Sequence, residues 1–406
     1  MPEIDEAALL SDLSSLNALG EGDAPGVNRV AFSTADRAGR EFVDGRLREL
    51  GLEVRRDALG STIASLPGSQ PGLRAIAAGS HTDTVPSGGR FDGALGVVAA
   101  VACARALVRR EGSLRHPLEV LNFVSEEATM GAGTLGSRAM VGELDAASLG
   151  DLAYDGRPAE DHLREAGVDL TRLASARRAP GALAAYLELH IEQGATLWRS
   201  GDRLGVVEGI VGIRRYELVF EGEANHAGTT AIEDRHDALV SAAPMVGAVR
   251  EIAVGRAIVG TVGTLRVEPG ASNVIPGRVV MECEFRSLQP DRLDEAEGLL
   301  RERARALGGA VVRTSAKKPP VRSDAGVLAA LDHVAAGLGV GVRRMPSGAG
   351  HDAMSLASIC PVAMLFVPSE RGVSHAPSEQ TSPEDCVLGA TALLASLREV
   401  DRRLAR

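Results

Sequence analysis

The sequence predicts a mixed α/β fold, in which a domain with a mostly parallel central sheet flanked by helices is interrupted by an inserted α+β domain. Short apolar runs alternate with helical patterns in the first half of the chain, which is typical of a parallel sheet covered by helices. From residue 206 the predicted order becomes βαββαβ, the split-βαβ arrangement of a compact domain. The first pattern resumes after Pro319 and Pro320. The predicted boundaries are therefore 1–205 and 322–406 for the interrupted domain and 206–321 for the insertion.

The interrupted domain begins with a helix predicted for residues 34–50, with Thr34 as its cap and Gly51 as its stop. Short apolar runs then predict strands, and a longer run with a helical period predicts a second helix. The strands lie at 54, 63–66, 75–78 and 118–124, and the helix at 93–110. Because the carboxyl ends of parallel strands meet at one edge of a sheet, polar residues that follow these strands are candidates for a functional site.

The insertion has its own sequence of predicted elements. They are a long strand at 206–223, a helix at 234–254, strands at 257–267 and 278–286, a helix at 291–307 and a strand at 310–314. Beyond the insertion, the interrupted domain continues with a helix at 325–338, a strand at 362–366 and a closing helix from Pro383. The sequence contains no internal repeat that would indicate a solenoid or a propeller.

The composition limits the classes of function. Of the 406 residues, 45% are hydrophobic and 24% are charged, which is typical of a soluble globular protein with sizeable cores. The chain has 54 acidic and 44 basic residues and a net charge of −10, which disfavours binding to nucleic acid or to an anionic membrane. No apolar stretch approaches the roughly 20 residues that span a bilayer, so we expect no membrane partner.

The N-terminus and the cysteines indicate where the protein works. The first six residues are acidic and lack the basic and apolar segments of a secretion signal. The four cysteines are far apart in the sequence and form no CxxC pair, so we expect buried thiols in a reducing compartment. The sequence therefore predicts a cytoplasmic location.

The first candidate site lies in residues 79–93, between a predicted strand and a predicted helix. His81 and Asp92 are residue types that bind first-row metal ions, and Asp83 could orient the ring of His81 from behind. The same segment could instead be an acidic loop that caps the helix and contains an incidental histidine. Taken alone, the segment leaves these two interpretations equally open.

Three further polar clusters follow apolar runs. Glu126 and Glu127 come directly after the strand at 118–124, and two adjacent carboxylates repel each other unless a cation neutralises one and the other acts as a base. An isolated pair would more often be an exposed acidic turn. His190 ends another apolar run, and His375 follows the last predicted strand. Each histidine alone is more often structural, but four clusters that each follow a predicted strand favour a metal site.

Six motifs in this chain resemble those of one enzyme family. They occur in the same order as in the amidase, or hydantoinase/carbamoylase, branch of the M20 di-metal hydrolases. This branch includes N-carbamoyl-L-amino-acid hydrolases, β-ureidopropionases, allantoate amidohydrolases and ureidoglycolate amidohydrolases. The peptidases of the larger family typically have a carboxylate at the position of His190 and lack the HIEQG string. The motifs are GSHTDTVPSGGRFDG with His81 and Asp92, the pair Glu126-Glu127, LHIEQG, ANHAGTT, SNVIPG and SGAGHDA.

The resemblance implies two divalent metal ions, bridged by one carboxylate and held by four other side chains. The bridge is Asp92, His81 and His190 hold one ion, and Glu127 and His375 hold the other. Glu126 would be the general base. Nitrogen and oxygen ligands suit zinc, although manganese, cobalt or nickel would also bind them.

The resemblance also assigns roles to the insertion, which would serve as a dimerisation and lid domain in a homodimer. His226 would stabilise the oxyanion in the partner subunit's site. Asn273 and Arg286 would hold a carboxylate of the substrate, and Gln193 would contact its amide or ureido end. From the residues alone, Arg286 is more often a surface arginine on an amphipathic strand.

Two segments depart from the family pattern. Residues 128–133 read ATMGAG where relatives commonly have a stretch that ends in Arg-Phe, so the wall of the pocket is smaller and uncharged here. Residues 284–287 read EFRS where relatives often have an Asp-x-Arg-His-Pro string. Both departures affect the expected substrate rather than the expected chemistry.

The function implied by the resemblance is hydrolysis of a linear C–N amide bond, in first place the ureido group of a small N-carbamoyl amino acid or related ureido acid. Ammonia and CO₂ would be released. Two alternatives remain at this point: an aminoacylase or dipeptidase of the M20 type, and a non-catalytic, metal-binding dimeric protein.

Overall fold

The computed structural model describes residues 4–109 and 114–404. The chain divides into two compact units, one formed by Met1–Gly209 with Ser323–Arg406 and the other by Ile210–Arg322. The four cysteines are buried free thiols.

The larger unit contains the following elements before the chain enters the smaller unit. The helices are α1 (Glu6–Ala18), α2 (Thr34–Glu49), α3 (Ala94–Arg109), α4 (Leu135–Val141), α5 (Ala146–Gly150), α6 (Ala159–Glu165) and α7 (Thr196–Ser200). The strands are β1 (Glu53–Arg56), β2 (Thr62–Leu66), β3 (Ala75–His81), β4 (Leu118–Phe123), β5 (Ala153–Tyr154), β6 (Arg157–Pro158), β7 (Leu183–Ile191) and β8 (Leu204–Ile210).

The smaller unit contains β9 (Gly212–Glu221), α8 (Ala238–Gly255), β10 (Val259–Glu268), β11 (Arg278–Ser287), α9 (Pro290–Ala306) and β12 (Gly309–Lys318). Strand β13 (Val321–Arg322) lies at the boundary between the two units and belongs to the nine-stranded sheet. The larger unit then continues with α10 (Ala325–Gly337), β14 (Val342–Ser347), α11 (Asp352–Leu356), β15 (Val362–Val367) and α12 (Pro383–Arg403). Short 3₁₀ helices lie at Ala128–Met130, Leu170–Ala176, Ile232–Asp234 and Glu370–Gly372.

The larger unit is built on a sheet with the strand order β1-β2-β4-β3-β7-β15-β8-β13, and β14 also pairs with β8. Its four central strands, β4, β3, β7 and β15, run parallel, whereas β1 pairs antiparallel with β2, β2 with β4, and β8 with β15. Every residue of the four central strands is buried, as expected for parallel strands covered by helices. This confirms the predicted α/β class, and it places the carboxyl ends of the four strands at one edge of the sheet.

The smaller unit is a four-stranded antiparallel sheet with the order β10-β11-β9-β12. Its chain order, β9-α8-β10-β11-α9-β12, is the predicted βαββαβ arrangement. The helices α8 and α9 pack with the sheet in one core that includes Tyr216, Phe220, Met245 and Leu300. The unit therefore has a hydrophobic core of its own.

Three predicted elements differ from the structure. The single strand predicted for 206–223 is wrong, because β8 pairs within the central sheet and β9 within the smaller sheet. The predicted cap Thr34 is the first helical residue of α2, and the hydroxyl of Ser33 caps the helix by accepting a hydrogen bond from the amide of Asp36 at 3.1 Å. The predicted end of the helix 93–110 lies outside the described residues. The sequence analysis also missed α1 and the short helices α4 to α7.

The helix α8 is long and apolar enough to cross a membrane by length and composition alone. Seven of its 18 residues are buried, and they pack against the sheet of the smaller unit. Core helices of globular proteins pass the same test, so this is weak evidence for a membrane span. The opposite face of α8 exposes Val240 and Val254, which are 69% and 73% accessible.

Candidate active site

The candidate site lies at the carboxyl edge of the four parallel strands. His81 is the last residue of β3, and His190 is the penultimate residue of β7. The pair Glu126-Glu127 follows β4, and His375 follows β15. The topology therefore brings together side chains that lie almost 300 residues apart in the sequence.

The first cluster consists of His81, His190 and Asp92, all of them buried. Asp92 Oδ1 lies 3.2 Å from His190 Nε2 and 3.7 Å from His81 Nε2. The close packing of His81 requires Gly93, whose φ is +63°, because a Cβ there would come within 2.4 Å of the His81 ring. The three side chains present two nitrogens and one oxygen to a common point, an arrangement that could hold a metal ion.

The second cluster consists of Asp92, Glu127 and His375. His375 Nε2 lies 3.3 Å from Asp92 Oδ2 and 3.2 Å from Glu127 Oε1. Glu127 Oε1 is buried and faces His375 Nε2, and a buried carboxylate needs a positive charge of this kind, from an imidazolium or a metal ion, to compensate its own. Because Asp92 has one oxygen in each cluster, the two clusters fit a pair of cations bridged by this carboxylate.

The buried ionisable side chains of the site shift one another's pKa values. Hydrogen bonds to Asp92 and Glu127 raise the pKa of His375 to about 10. Burial lowers the pKa of His190, but the charge of Asp92 and its hydrogen bond outweigh burial and raise it to about 9. Burial opposes ionisation of Asp92 as well, but the charge of His190 and the other histidine contacts hold its pKa well below the usual value. Without metal, the neighbouring carboxylates therefore favour the protonated form of both histidines.

Metal binding is expected to release protons. Metal ions bind neutral imidazole, so loading the site at pH 7.5 should release about two protons, one each from His190 and His375. The affinity for metal should rise with pH until it passes the folded-state values of about 9 and 10. Calorimetric titration of the metal-free protein in buffers of different ionisation enthalpy measures this release. A binding enthalpy that is independent of the buffer would contradict it.

Glu126 lies beside the first cluster but outside both metal groups. Its Oε2 atom is 3.7 Å from His81 Nε2. Burial, and then the charges of Asp352 and Glu127, raise the pKa of Glu126 well above the usual value. A carboxylate with a raised pKa next to a candidate metal pair has the properties of a general base.

Asp83 contacts the site differently from the prediction. The ring Nδ1 of His81 lies 3.0 Å from the backbone carbonyl oxygen of Asp83 and 3.7 Å from its carboxylate. The two carboxylate oxygens instead accept hydrogen bonds from the amides of Glu126 and Glu127, both at 3.1 Å. Asp83 therefore holds the Glu126-Glu127 peptide in place, and its carbonyl group orients the histidine.

Glu379 is a buried residue of the site to which the sequence analysis gave no role. Its Oε1 accepts hydrogen bonds from the amides of Phe91 and Asp92, at 2.8 and 3.1 Å, and its Oε2 accepts one from Ser374 Oγ at 2.8 Å. Ser374 Oγ also lies 2.8 Å from Asp92 Oδ2. The only local sequence feature that could have indicated this role is the position of Glu379, four residues after His375. Glu379 therefore holds Asp92 directly through the Asp92 backbone amide and indirectly through Ser374, which lies next to the Asp92 carboxylate.

Replacing Glu379 by alanine is expected to weaken metal binding by about 10–100-fold, the usual cost of losing a residue that orients metal ligands. The substitution removes the acceptor for the Asp92 amide and frees Ser374, so Asp92 loses its fixed orientation. Titration of the metal-free variant with zinc measures the affinity. Glu384→Ala, which changes an exposed glutamate on α12, is the matched control. Equal affinities of the two variants would show that Asp92 does not need Glu379.

Three residues around the site have left-handed backbone conformations. Ser125, Gln193 and His375 have φ values of +55°, +59° and +55°, which are unfavourable for non-glycine residues and cluster at functional sites. The Gln193 side-chain amide donates a hydrogen bond to Asp92 Oδ2 at 2.7 Å. The structure therefore places Gln193 beside the candidate metal pair, where the sequence analysis expected a substrate contact.

A layer of buried polar residues lies behind His190. The rings of His351 and His190 are 4.6 Å apart between centroids, and His351 Nε2 is 2.7 Å from Ser347 Oγ. Glu188 accepts hydrogen bonds from Ser80 Oγ at 2.8 Å and from the amide of Ala353 at 3.2 Å. The motif SGAGHDA thus packs against a candidate ligand. The feature that could have indicated this layer is Glu188, a charged residue within a strand that is otherwise mostly apolar and is fully buried.

His226 and Asn273 are neighbours in the smaller unit. Both are exposed, and the amide of Ala227 donates a hydrogen bond to the carbonyl oxygen of Asn273 at 2.9 Å. Strands β9 and β11 pair as far as Glu221 and Arg278, and an isolated bridge between His226 and Val274 continues this pairing beyond the two strand ends. These two residues therefore belong to one end of the smaller sheet.

Arg286 lies toward the opposite end of β11. It comes eight positions after Arg278 in the strand, so at about 3.4 Å per residue the two positions are roughly 27 Å apart. Within one chain, the structure does not bring Arg286 and Asn273 together. Arg286 Nε donates to Glu284 Oε1 at 2.6 Å, so a substrate carboxylate at Arg286 would compete with this pair.

Comparison with known proteins identifies the family. Residues 77–399 match the peptidase family M20/M25/M40. An N-carbamoyl-L-amino acid amidohydrolase of Geobacillus stearothermophilus is 37% identical over 388 residues, which cover 94% of this chain and 95% of that protein. An allantoate amidohydrolase of Bacillus subtilis (strain 168) is 35% identical over 382 residues, which cover 91% of each chain. The structure of an amidase of the hydantoinase/carbamoylase family from Burkholderia multivorans is 32% identical, covers 98% of each chain and gives a TM-score of 0.88. The chain therefore belongs to the peptidase family M20/M25/M40, and within it to the hydantoinase/carbamoylase branch of amidases, as its motifs predicted.

Proposed function

We propose that this protein hydrolyses the ureido C–N bond of a small N-carbamoyl amino acid or a related ureido acid, with two divalent metal ions in each subunit. The observation that carries this proposal is the position of Asp92, with one oxygen in the His81–His190 cluster and the other in the Glu127–His375 cluster. A pair of neighbouring cations is one of the arrangements that metal-dependent amide hydrolysis uses.

The residues of the two clusters would hold the ions, and their nitrogen and oxygen donors favour zinc, with manganese, cobalt or nickel as substitutes. When bound, such a pair acidifies a water molecule and polarises the scissile carbonyl group. Glu126 would accept the proton of the attacking water on its carboxylate and deliver it to the leaving nitrogen. The C–N bond then breaks, and a ureido substrate yields a carbamate that decomposes to ammonia and CO₂.

The proposed working unit is a homodimer formed through the smaller unit. Its strand β10 is an edge strand, and Val259 on this strand is 60% accessible. The neighbouring helix α8 exposes Val240 and Val254. A strand with one unpaired edge beside an exposed apolar helix face is a surface that proteins normally cover by association.

A dimer also accounts for the separation of the proposed substrate ligands. Asn273 and Arg286 lie at opposite ends of the sheet of one chain, so a single small substrate can contact both only if they come from different subunits. His226, next to Asn273, would then stabilise the oxyanion at the partner subunit's metal pair. Gln193 would contact the ureido end of the substrate.

The proposed function is tested by ammonia release from a panel of substrates with zinc, manganese or cobalt. The panel contains N-carbamoyl-α-amino acids, N-carbamoyl-β-alanine, allantoate, ureidoglycolate, N-acetyl-amino acids and dipeptides, and free amino acid is measured in parallel for the last two. We expect turnover of one of the ureido acids. Turnover of only the N-acetyl-amino acids or dipeptides would replace the proposal with an aminoacylase or dipeptidase. No metal-dependent turnover of any member would reject it.

Arg286→Lys is expected to behave like Arg286→Ala rather than like the wild type, because a point charge does not replace a planar guanidinium fork. The loss should appear in kcat/KM and amount to about 2–5 kcal/mol if the ion pair with the substrate is buried. The matched control is Arg215→Ala, since Arg215 is the other partner of Glu284, at 2.7 Å. If wild type hydrolyses a substrate amide as well as the carboxylic acid, Arg286 does not anchor a carboxylate.

A further inference from the structure

A second candidate binding site lies in the larger unit and shares no residue with the metal clusters. It is a cavity of about 590 Å³ between the β1–β2 hairpin and residues 167–178. We call it the arginine cavity. Five of its lining residues are arginines, namely Arg55, Arg56, Arg172, Arg177 and Arg178.

Two of the five arginines are neutralised by carboxylates outside the cavity. Arg56 pairs with Asp44 at 2.8 Å, and Arg178 forms a two-pronged contact with Glu119. The other three are Arg55, Arg172 and Arg177. No carboxylate oxygen of the described residues lies within 4.0 Å of their guanidinium nitrogens, and all three are exposed. The cavity therefore has three positive charges without a direct counter-charge.

The two acidic residues of the cavity wall are engaged by other donors. Asp57 Oδ1 accepts hydrogen bonds from the amides of Leu59, Gly60 and Ser61, at 3.0, 2.9 and 2.9 Å. Asp169 Oδ1 accepts two hydrogen bonds from Thr171. The two carboxylates still interact with cavity arginines at longer range, Asp57 with Arg55 and Asp169 with Arg172. Two carboxylates against three arginines without an ion pair offset part of the positive charge of the cavity but not all of it.

The arginine-bearing segment is held in a fixed position. The amide of Arg178 donates a hydrogen bond to the carbonyl oxygen of Met140 at 2.7 Å. The stem of Arg177 packs on Gly142, which ends α4 with φ +81°, so closely that a Cβ there would come within 2.7 Å of Arg177 Cδ. The positions from which the guanidinium groups extend are thus set before a ligand binds.

We propose that the arginine cavity binds a small polyanion that carries phosphate groups. Guanidinium groups form two-pronged, charge-assisted hydrogen bonds with phosphate oxygens, and a cavity of this size suits a metabolite. A nucleic acid is a poor fit, because the cavity is small and the chain has a net charge of −10. The proposal is independent of the reaction at the metal clusters.

The test is calorimetric titration of the metal-loaded wild type with inorganic pyrophosphate, magnesium-free ATP and a sugar bisphosphate. We expect at least one of them to bind with a Kd below about 1 mM. The double variant Arg172→Gln/Arg177→Gln should bind that anion at least about tenfold more weakly, since each charge-assisted hydrogen bond that is lost costs about tenfold or more. Binding should also weaken as salt is raised.

The matched control is Arg305→Ala, which removes an exposed arginine of α9 in the other unit. This control should bind the anion like the wild type, and the double variant should keep the wild-type metal content and basal activity. An anion captured by the metal pair would bind the double variant and the wild type equally, and equal binding overturns the proposal. Absence of binding by the wild type for all three anions overturns it as well. The double variant Arg172→Lys/Arg177→Lys, which keeps the charges, should recover part of the affinity.

Discussion

Replacing Glu126 by glutamine is expected to lower turnover by about 10²–10⁴-fold while both metal ions remain bound. The amide has the shape of the carboxylate but cannot take a proton from water. Glu126 lies outside both metal groups, with its nearest ring nitrogen, His81 Nε2, at 3.7 Å. Loss of the base should therefore leave the coordination of the ions intact. Steady-state rates and metal analysis of the purified variant measure the two effects.

Glu127→Gln is the matched control, since it alters the adjacent residue by the same chemical change. Glu127 Oε1 lies 3.2 Å from His375 Nε2 and belongs to the second cluster. This variant should lose affinity for one ion. If Glu126→Gln lost metal or kept its full rate, the assignment of Glu126 as the general base would be wrong.

The sequence predicted the centre of the fold because local patterns determine it. The strands β3, β4, β7 and β15 are mostly apolar runs followed by polar residues, and the βαββαβ order of the smaller unit is visible as a change of period. The separation of β8 from β9 was not predictable in this way. Residues 204–221 are extended on both sides of Val211, and only the choice of partner strands distinguishes the two.

The candidate ligands were predictable for the same reason, since each lies within a motif that follows a strand. Contacts between distant segments were not. Glu379 accepts the amide hydrogen bond of Asp92 across 287 positions of sequence, and Asp83 holds Glu126 across 43. The pairing of Arg286 with Glu284 also depends on the pleat of β11, which places alternate residues on one face. These positioning contacts follow from tertiary packing and leave weak signals in a single sequence.

Mixing two inactive variants is expected to restore activity if His226 works in the partner subunit's site. In a hybrid of His226→Ala with Glu126→Gln subunits, one of the two sites has both intact groups. At equal amounts, half of the dimers are hybrids with one complete site each, so the mixture should reach about a quarter of the wild-type rate. The parents should lie far below this, because losing an oxyanion donor costs about 10²–10³ in turnover.

The distance between Asn273 and Arg286 within one chain allows a second complementation experiment with these two residues. If the substrate is shared between subunits, Asn273→Ala should complement Arg286→Ala in the same way, since these residues would reach one site from different chains. His226→Ala with Asn273→Ala is the control pair and should fail, because both changes damage the same end of the same subunit. Subunit exchange is verified with two different affinity tags. If the subunits exchange but activity does not recover, His226 acts in its own subunit's site or takes no part in the reaction. The distance between Asn273 and Arg286 would then not be explained by a substrate shared between subunits.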